Sequence, residues 1–236
     1  MTLAFDSFVL CASAADLSVV PAAREAGADA VEFRMDLADE PLTALSAYDG
    51  DLPVLATNRA RWEGGAADAA DRLTDLAAAA REPAVAAVDV ELAALRGRAA
   101  AEAGDDVVAA ARDHDAAVVV SVHDFAGTPT EDAMTRLLRT ASRLGDVGKL
   151  AVTAADRADA LAVLSATRAA DEAGATVATM AMGESGRHTR AVAPLYGSRI
   201  GYAPVDPADA TAPGQYDAAT LARLVETLRA APVDAD

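Results

Sequence analysis

The stretch Val147-Gly148-Lys149-Leu150-Ala151-Val152 places a lysine inside a short apolar run. Lys149 is the only lysine among the 20 lysine and arginine residues of the chain. Such a run predicts a buried β-strand, in which desolvation lowers the pKa of a lysine amine. A neutral amine attacks carbonyl carbons, whereas arginine stays protonated at any working pH. The stretch therefore predicts an amine used in Schiff-base chemistry, and a lysine kept only as a salt-bridge partner is the alternative.

Runs of this kind recur along the chain and alternate with alanine-rich helical patterns. The predicted strands are 8–12, 30–36, 53–59, 85–91, 117–123, 147–152, 175–182 and 198–203. The predicted helices are 17–26, 42–48, 67–80, 107–112, 129–144 (opened by Pro129), 157–173 and 217–229. Alternating strands and helices imply parallel pairing with right-handed crossovers. Eight strands in 236 residues predict an α/β fold, a (β/α)8 TIM barrel forming a single domain over 1–236. An open doubly wound sheet is the alternative, but no glycine-rich turn follows its first strand.

Composition limits the partners that the protein can have. The chain carries 37 acidic residues and a formal net charge of −17, which repels nucleic acid and anionic membranes. So acidic a surface predicts a protein that works at high salt, where screening removes self-repulsion. The single cysteine, Cys11, excludes an internal disulfide framework and fits a reducing cytoplasm. The sequence predicts no signal peptide, no membrane span and no metal site.

Polar side chains stand where the predicted strands end, which is where barrel enzymes place their active sites. Side chains two apart on a strand share a face, so Glu32 projects with Arg34, and Ser121 with His123. His123 ends an apolar strand next to the lysine strand and can transfer protons near neutral pH. A hydrogen-bonded core histidine and a structural Glu32–Arg34 ion pair are the alternatives. Three further groups have other interpretations: Asp89 and Glu91 as structural, His114 as a surface residue, and His188 as either structural or functional.

A series of motifs, in this order and spacing, resembles type I 3-dehydroquinate dehydratase, the Schiff-base lyase of the shikimate pathway of aromatic amino-acid biosynthesis. The resemblance extends from the first strand to the last helix. The motifs are Glu32-Phe33-Arg34-Met35-Asp36, Asn58-Arg59 with Glu63-Gly64-Gly65, Ser121-Val122-His123-Asp124-Phe125, Gly148-Lys149, Met182-Gly183 with Thr189-Arg190, and Ala212-Pro213-Gly214-Gln215.

The resemblance implies a barrel enzyme without metal or organic cofactor, acting on the small molecule 3-dehydroquinate. It implies that Lys149 forms the Schiff base, that His123 transfers protons and that Glu63 orients His123. It further implies that Arg190 binds the substrate carboxylate. Other substrate-binding residues implied by the family are Glu32, Arg34 and Arg59, with Thr211 and Gln215 on a loop that closes over the ligand. Since family members are often dimers, a homodimer is also an expectation.

The chain departs from the family pattern at a few positions, and two other functions remain open. Thr211 and Thr189 stand where the family usually has serine, and Cys11 aligns with a first-strand serine while Ser13 lies two residues on. A class I aldolase is one alternative function, although most act on phosphorylated sugars and Glu184 disfavours a phosphate site. A barrel that only binds a small carboxylate is the other.

Overall fold

Eight parallel strands form the centre of the protein. The computed structural model describes residues 3–68, 71–97 and 104–230. Its strands are β1 Val9–Ala14, β2 Ala30–Arg34, β3 Val54–Thr57, β4 Val85–Glu91, β5 Ala117–Asp124, β6 Val147–Thr153, β7 Val177–Met182 and β8 Ile200–Ala203. All eight predicted strands are present, and the differences lie at their ends.

The strands close into a (β/α)8 TIM barrel. They are hydrogen-bonded in the order β7-β6-β5-β4-β3-β2-β1-β8, and each pair is parallel. Between β8 and β7, Val177 pairs with Ser198 in an isolated parallel bridge, and the Arg199 N–H donates to the Val177 carbonyl at 2.7 Å. The predicted fold is therefore confirmed, and the doubly wound alternative is wrong.

Helices surround the barrel and are fixed by side-chain caps at several of their first turns. They are α1 Val20–Glu25, α2 Pro41–Ser46, α3 Arg72–Ala79, α4 Leu92–Leu95, α5 Gly104–Asp113, α6 Glu131–Ala141, α7 Arg157–Glu172, α8 Thr189–Val192 and α9 Ala218–Arg229. The Asp156 side chain accepts hydrogen bonds at the start of α7, and Asp217 does so at the start of α9. These carboxylates satisfy amide groups that lack partners within the helix.

Some predicted helix boundaries were wrong. Helix α6 begins at Glu131 behind a Thr130 cap, not at Pro129, because the Thr130 hydroxyl accepts from the Ala133 N–H. Helix α3 begins at Arg72 rather than near residue 67, while 69–70 of that prediction lie outside the described residues. The short α4 and α8 were not predicted, since four-residue helices carry no periodic signal.

The strands are buried on both faces, which explains why they appear as continuous apolar runs. On β6, Val147 and Ala151 face the barrel interior, whereas Leu150 and Val152 pack against the outer helices. Gly148 lets α6 lie close to the strand, because a Cβ there would be 2.5 Å from the Leu138 carbonyl oxygen. This alternation directs the side chain of Lys149 into the barrel.

Candidate active site

One cavity lies at the carboxyl ends of the strands. Its lining includes every site residue that the sequence predicted: Glu32, Arg34, Arg59, Glu63, His123, Lys149, Arg190, Thr211 and Gln215. It also includes residues to which the sequence analysis assigned no role: Thr57, Gly64, Phe125, Ala151, Met180, Met182, Tyr202 and Ala212. The structure therefore brings side chains from distant parts of the sequence around one space.

Lys149 projects from β6 into this cavity and is 4% exposed. Its Nζ donates a hydrogen bond to Asp89 Oδ2 at 2.9 Å and lies 3.7 Å from Glu32 Oε1. It also lies 4.0 Å from the centre of the Tyr202 ring. The apolar run had predicted an amine among aliphatic groups, but carboxylates and an aromatic ring also surround it. Carboxylates balance the charge of Lys149, which lowers the free-energy cost of burying it.

Arg59 connects the carboxylates behind the lysine. Its guanidinium contacts Asp89 at 2.8 Å and Glu91 at 3.1 Å, and it donates to the Ser121 hydroxyl at 2.6 Å. Burial opposes the charge of Arg59, but the neighbouring carboxylates outweigh burial and raise its pKa. Asp89 bonds to Lys149 as well as to Arg59, so the purely structural interpretation of Asp89 was incomplete. Its pKa is lowered because Arg59 and Lys149 outweigh the effect of burial.

Glu32 is held in place by two hydroxyl groups. Its carboxylate accepts from the Ser13 hydroxyl at 2.6 Å and from the Thr57 hydroxyl at 3.2 Å. Ser13 therefore supports Glu32 and is not among the residues that line the cavity, while Cys11 is buried in the barrel interior. Arg34 does not form the alternative ion pair with Glu32. Its guanidinium instead forms two hydrogen bonds to Asp36, at 2.8 and 2.7 Å.

His123 and Glu63 form a hydrogen-bonded pair, with Nδ1 and Oε2 2.9 Å apart. Glu63 ends a short 3-10 turn, Arg61–Glu63, and Gly64 closes that turn at a φ of 81°. The positive φ favours glycine there, and a Cβ would lie 2.3 Å from the Phe125 ring. The Phe125 ring in turn stacks beside the imidazole, with ring centres 6.3 Å apart. The turn therefore determines where Glu63 meets His123.

Burial shifts the pKa of both members of this pair. Burial raises the pKa of Glu63 to about 8, although Arg59 opposes the rise. Burial also lowers the pKa of His123 well below its usual value, and the charges of Arg59 and Lys149 lower it further. Burial and the two cations outweigh the one carboxylate, so the pKa of His123 stays low.

Arg190 is a buried cation without a carboxylate partner among the described residues. It is 4% exposed, and one guanidinium nitrogen donates to the Pro213 carbonyl at 3.3 Å. Its Nε is buried and has no hydrogen-bond partner in the described structure. Burial lowers the pKa of Arg190 to about 10. Thr189 beside it is structural, since its hydroxyl donates to the Gly186 carbonyl and accepts from the Ala181 N–H.

The segment between β8 and α9 covers one side of the cavity. The Gln215 side-chain oxygen accepts from the backbone N–H groups of Thr211 at 2.8 Å and Ala212 at 3.0 Å. The Pro213 carbonyl oxygen accepts hydrogen bonds from the Gly183 N–H and from the Arg190 guanidinium. The loop therefore packs against the end of β7.

Two kinds of feature are not found among the described residues. Within 3–68, 71–97 and 104–230, no three His, Cys, Asp or Glu side chains are grouped to hold a metal ion. The helices of those segments are all too short or too polar to cross a lipid bilayer. The fold and the cavity, with its amine, imidazole and guanidinium, define the class of (β/α)8-barrel enzymes that act on a small molecule.

Sequence comparison defines the family. Residues 8–232 match the family model of type I 3-dehydroquinase, and the chain belongs to that family. It is 60% identical over 226 residues to the 3-dehydroquinate dehydratase of Haloarcula marismortui, covering 95% of this chain and 98% of the relative. The corresponding protein of Halobacterium salinarum is 58% identical, with 95% and 99% covered.

Solved structures agree with this assignment. The 3-dehydroquinate dehydratase of Geobacillus kaustophilus superposes with a TM-score of 0.81 at 29% identity, covering 95% of this chain and 92% of that one. The type I enzyme of Clostridium difficile, solved with covalently modified comenic acid, has a TM-score of 0.80 at 26% identity, with 94% and 92% covered.

Proposed function

We propose that this protein dehydrates 3-dehydroquinate to 3-dehydroshikimate, in the shikimate pathway, through a Schiff base on Lys149. Membership of the type I family supports the reaction. The observation that carries the mechanism is that the only lysine of the chain is buried in the same cavity as His123. A buried amine beside a proton-transfer group is the arrangement that imine chemistry requires.

The reaction begins when Lys149 Nζ passes a proton to the neutral imidazole of His123 and attacks the ring ketone. The imidazolium then returns that proton to the carbinolamine hydroxyl, which leaves as water and gives a protonated imine. Its positive nitrogen draws electrons, so the neighbouring C–H becomes acidic. His123 removes that proton and leaves an enamine, whose electrons expel the hydroxyl group. The same imidazole returns its proton to the hydroxyl, which departs as water. Water then hydrolyses the imine, releasing product and the free amine.

His123 suits the role of general base because its pKa is held low by burial and by nearby cations. A neutral imidazole accepts a proton without first losing one. Glu63, 2.9 Å from Nδ1, holds the ring and leaves Nε2 available for the substrate. Positioned acid–base groups of this kind contribute about 10²–10⁴-fold to the rate.

Substrate binding is assigned to the cationic and hydrogen-bonding groups around the cavity. Arg190 binds the substrate carboxylate, since it is buried and lacks a protein carboxylate among the described residues. Glu32 and Arg34 bind ring hydroxyls, with Thr211 and Gln215 closing from the loop above. Arg59 already bonds to Asp89, Glu91 and Ser121 and mainly orders the carboxylates around the amine.

A turnover assay tests the proposal against its two alternatives. Formation of the conjugated enone product is followed by absorbance with 3-dehydroquinate and with a panel of phosphorylated and free ketoses. We expect that only 3-dehydroquinate is turned over and that this turnover is lost in Lys149→Ala and in His123→Ala. Cleavage of a ketose would support the aldolase, and binding without turnover would support the carboxylate-binding barrel.

Three further properties belong to the same proposal. We expect the chain to act as one catalytic barrel domain in the cytoplasm, as its sole cysteine, Cys11, suggests. High-salt adaptation fits both its net charge of −17 and its relatives from Haloarcula and Halobacterium. A homodimer stays a prediction, which light scattering at high salt would check.

A further inference from the structure

Long hydrogen bonds join the loop between β8 and α9 to the barrel, and Ala212 and Tyr216 of the loop also pack against core side chains. Its carbonyl at Pro213 accepts from the Gly183 N–H and from Arg190, each at 3.3 Å. The Gln215 amide nitrogen lies 3.5 Å from the Tyr202 carbonyl oxygen. Hydrogen bonds of this length are weaker than the usual 2.7–3.2 Å contacts. These bonds alone therefore hold the loop loosely.

A stacked side-chain pair supplies a firmer attachment. The guanidinium carbon of Arg187 lies 4.2 Å from the centre of the Tyr216 ring. Cations within about 6 Å of an aromatic ring centre are attracted by the ring face. Tyr216 directly follows Gln215, and Arg187 lies between β7 and α8. The pair therefore joins the loop to the chain segment that carries Arg190.

Hydrogen bonding does not explain the position of Arg187. Its Nε is buried and has no hydrogen-bond partner in the described structure. Among the ion pairs of the described residues, none includes Arg187, and the residue is not part of the cavity lining. Desolvation of an unpartnered guanidinium nitrogen is unfavourable, so a compensating contact is required. The Tyr216 ring is the contact that the structure provides.

We propose that Arg187 is a positioning residue, whose stacking on Tyr216 latches the loop so that Gln215 faces the cavity before substrate arrives. The role of the loop in catalysis rests on the proposed function. Without the latch, substrate binding must also supply the free energy that closes the loop. The loss should therefore appear in KM, while kcat stays close to the wild-type value.

A double-mutant cycle tests the latch. Arg187→Met and Tyr216→Leu should each raise KM by about 2- to 5-fold, the range for a partly exposed cation–π contact. The double variant should raise KM no further than the more affected single variant, because both changes remove one interaction. Tyr216→Phe retains the ring and should keep the wild-type KM. Arg168→Met is the matched control for charge, since Arg168 is an exposed arginine on α7 paired with Glu172.

Hydrogen exchange separates this inference from the proposed function. In the free protein, the Thr211 and Ala212 amide hydrogens should exchange faster in Arg187→Met than in the wild type and in Arg168→Met. If exchange is faster in Arg187→Met but the wild-type protein does not turn over 3-dehydroquinate, the proposed function is overturned and the latch stands. Unchanged exchange, additive effects on KM, or a Tyr216→Phe variant as impaired as Tyr216→Leu would each overturn the latch.

Discussion

Replacing Arg190 by methionine should stabilise the free enzyme and at the same time weaken substrate binding. Burial lowers the pKa of Arg190 to about 10, and a lowering of this size corresponds to about 3 kcal/mol at neutral pH. Because the folded-state pKa lies below the unfolded-state pKa, this destabilisation is fully present below about pH 10 and fades above it, as the arginine of the folded protein loses its proton first. Methionine removes the buried charge and keeps most of the side-chain volume.

The expected gain is smaller than the full penalty, because Arg190→Met also loses the hydrogen bond to Pro213. One such bond contributes about 1 kcal/mol, which leaves a gain of about 1–3 kcal/mol in the free energy of unfolding. Loss of a buried charge-assisted contact costs about 2–5 kcal/mol in binding, so KM should rise by roughly 30- to 5000-fold.

Urea unfolding at high salt, followed by circular dichroism, measures the first effect, and steady-state kinetics measures the second. Arg223→Met removes an exposed arginine of α9 and serves as the control. Its stability should stay within about 0.5 kcal/mol of the wild type. An Arg190→Met protein that is less stable than the wild type, or that binds substrate normally, would refute the reasoning.

Three other outcomes are expected. Since burial raises the pKa of Glu63 to about 8, kcat/KM should rise through that pH as the ionised carboxylate begins to stabilise the imidazolium that forms when His123 accepts a proton. A flat profile from about pH 6 to 9 would contradict the pairing. Gly148→Ala should lower the free energy of unfolding in urea by about 1–3 kcal/mol, because its Cβ would lie 2.5 Å from the Leu138 carbonyl oxygen. Gly127→Ala is the control, since a Cβ at Gly127 meets nothing within 4 Å. Equal effects of the two substitutions would exclude this explanation. The protein has a net charge of −17, so its unfolding temperature should fall as NaCl decreases from about 1 M to about 0.1 M, because the screening length grows from about 3 to about 10 Å. An unfolding temperature that does not change would argue against high-salt adaptation.

The barrel was predictable because its strands are buried on both faces. Apolar runs such as 85–91 and 147–152 differ clearly from the helical patterns between them, and their regular alternation determines the class of fold. Helix ends were less predictable. Thr130 displaced Pro129 as the start of α6, because a capping hydroxyl and a first-turn proline give similar local signals.

The side chains of the cavity were predictable in identity but not in pairing. The motifs placed Lys149 within a strand, His123 at the end of a strand and Glu63 in a loop, yet their mutual contacts depend on the register of non-adjacent strands. Asp89 shows the difference, since it stands 60 positions from Lys149 in the sequence and bonds to it at 2.9 Å. The pKa of His123 depends on cations from other strands, and no local pattern carries that information.

Tyr202 was missed for a related reason. It lies in the run 198–203, where an aromatic residue is an ordinary strand residue. Its importance to the cavity becomes visible only when β8 and β6 curve around the same interior, which brings the ring to 4.0 Å from the amine.

The central claim concerns one covalent bond, between Lys149 and the substrate ketone. Borohydride is added during turnover of 3-dehydroquinate, and the protein is digested and analysed by mass spectrometry. We expect a reduced adduct on the peptide that contains Lys149, and no adduct or turnover in Lys149→Ala. A wild-type enzyme that turns over without an adduct at this lysine, or a Lys149→Ala enzyme with normal turnover, would contradict the account.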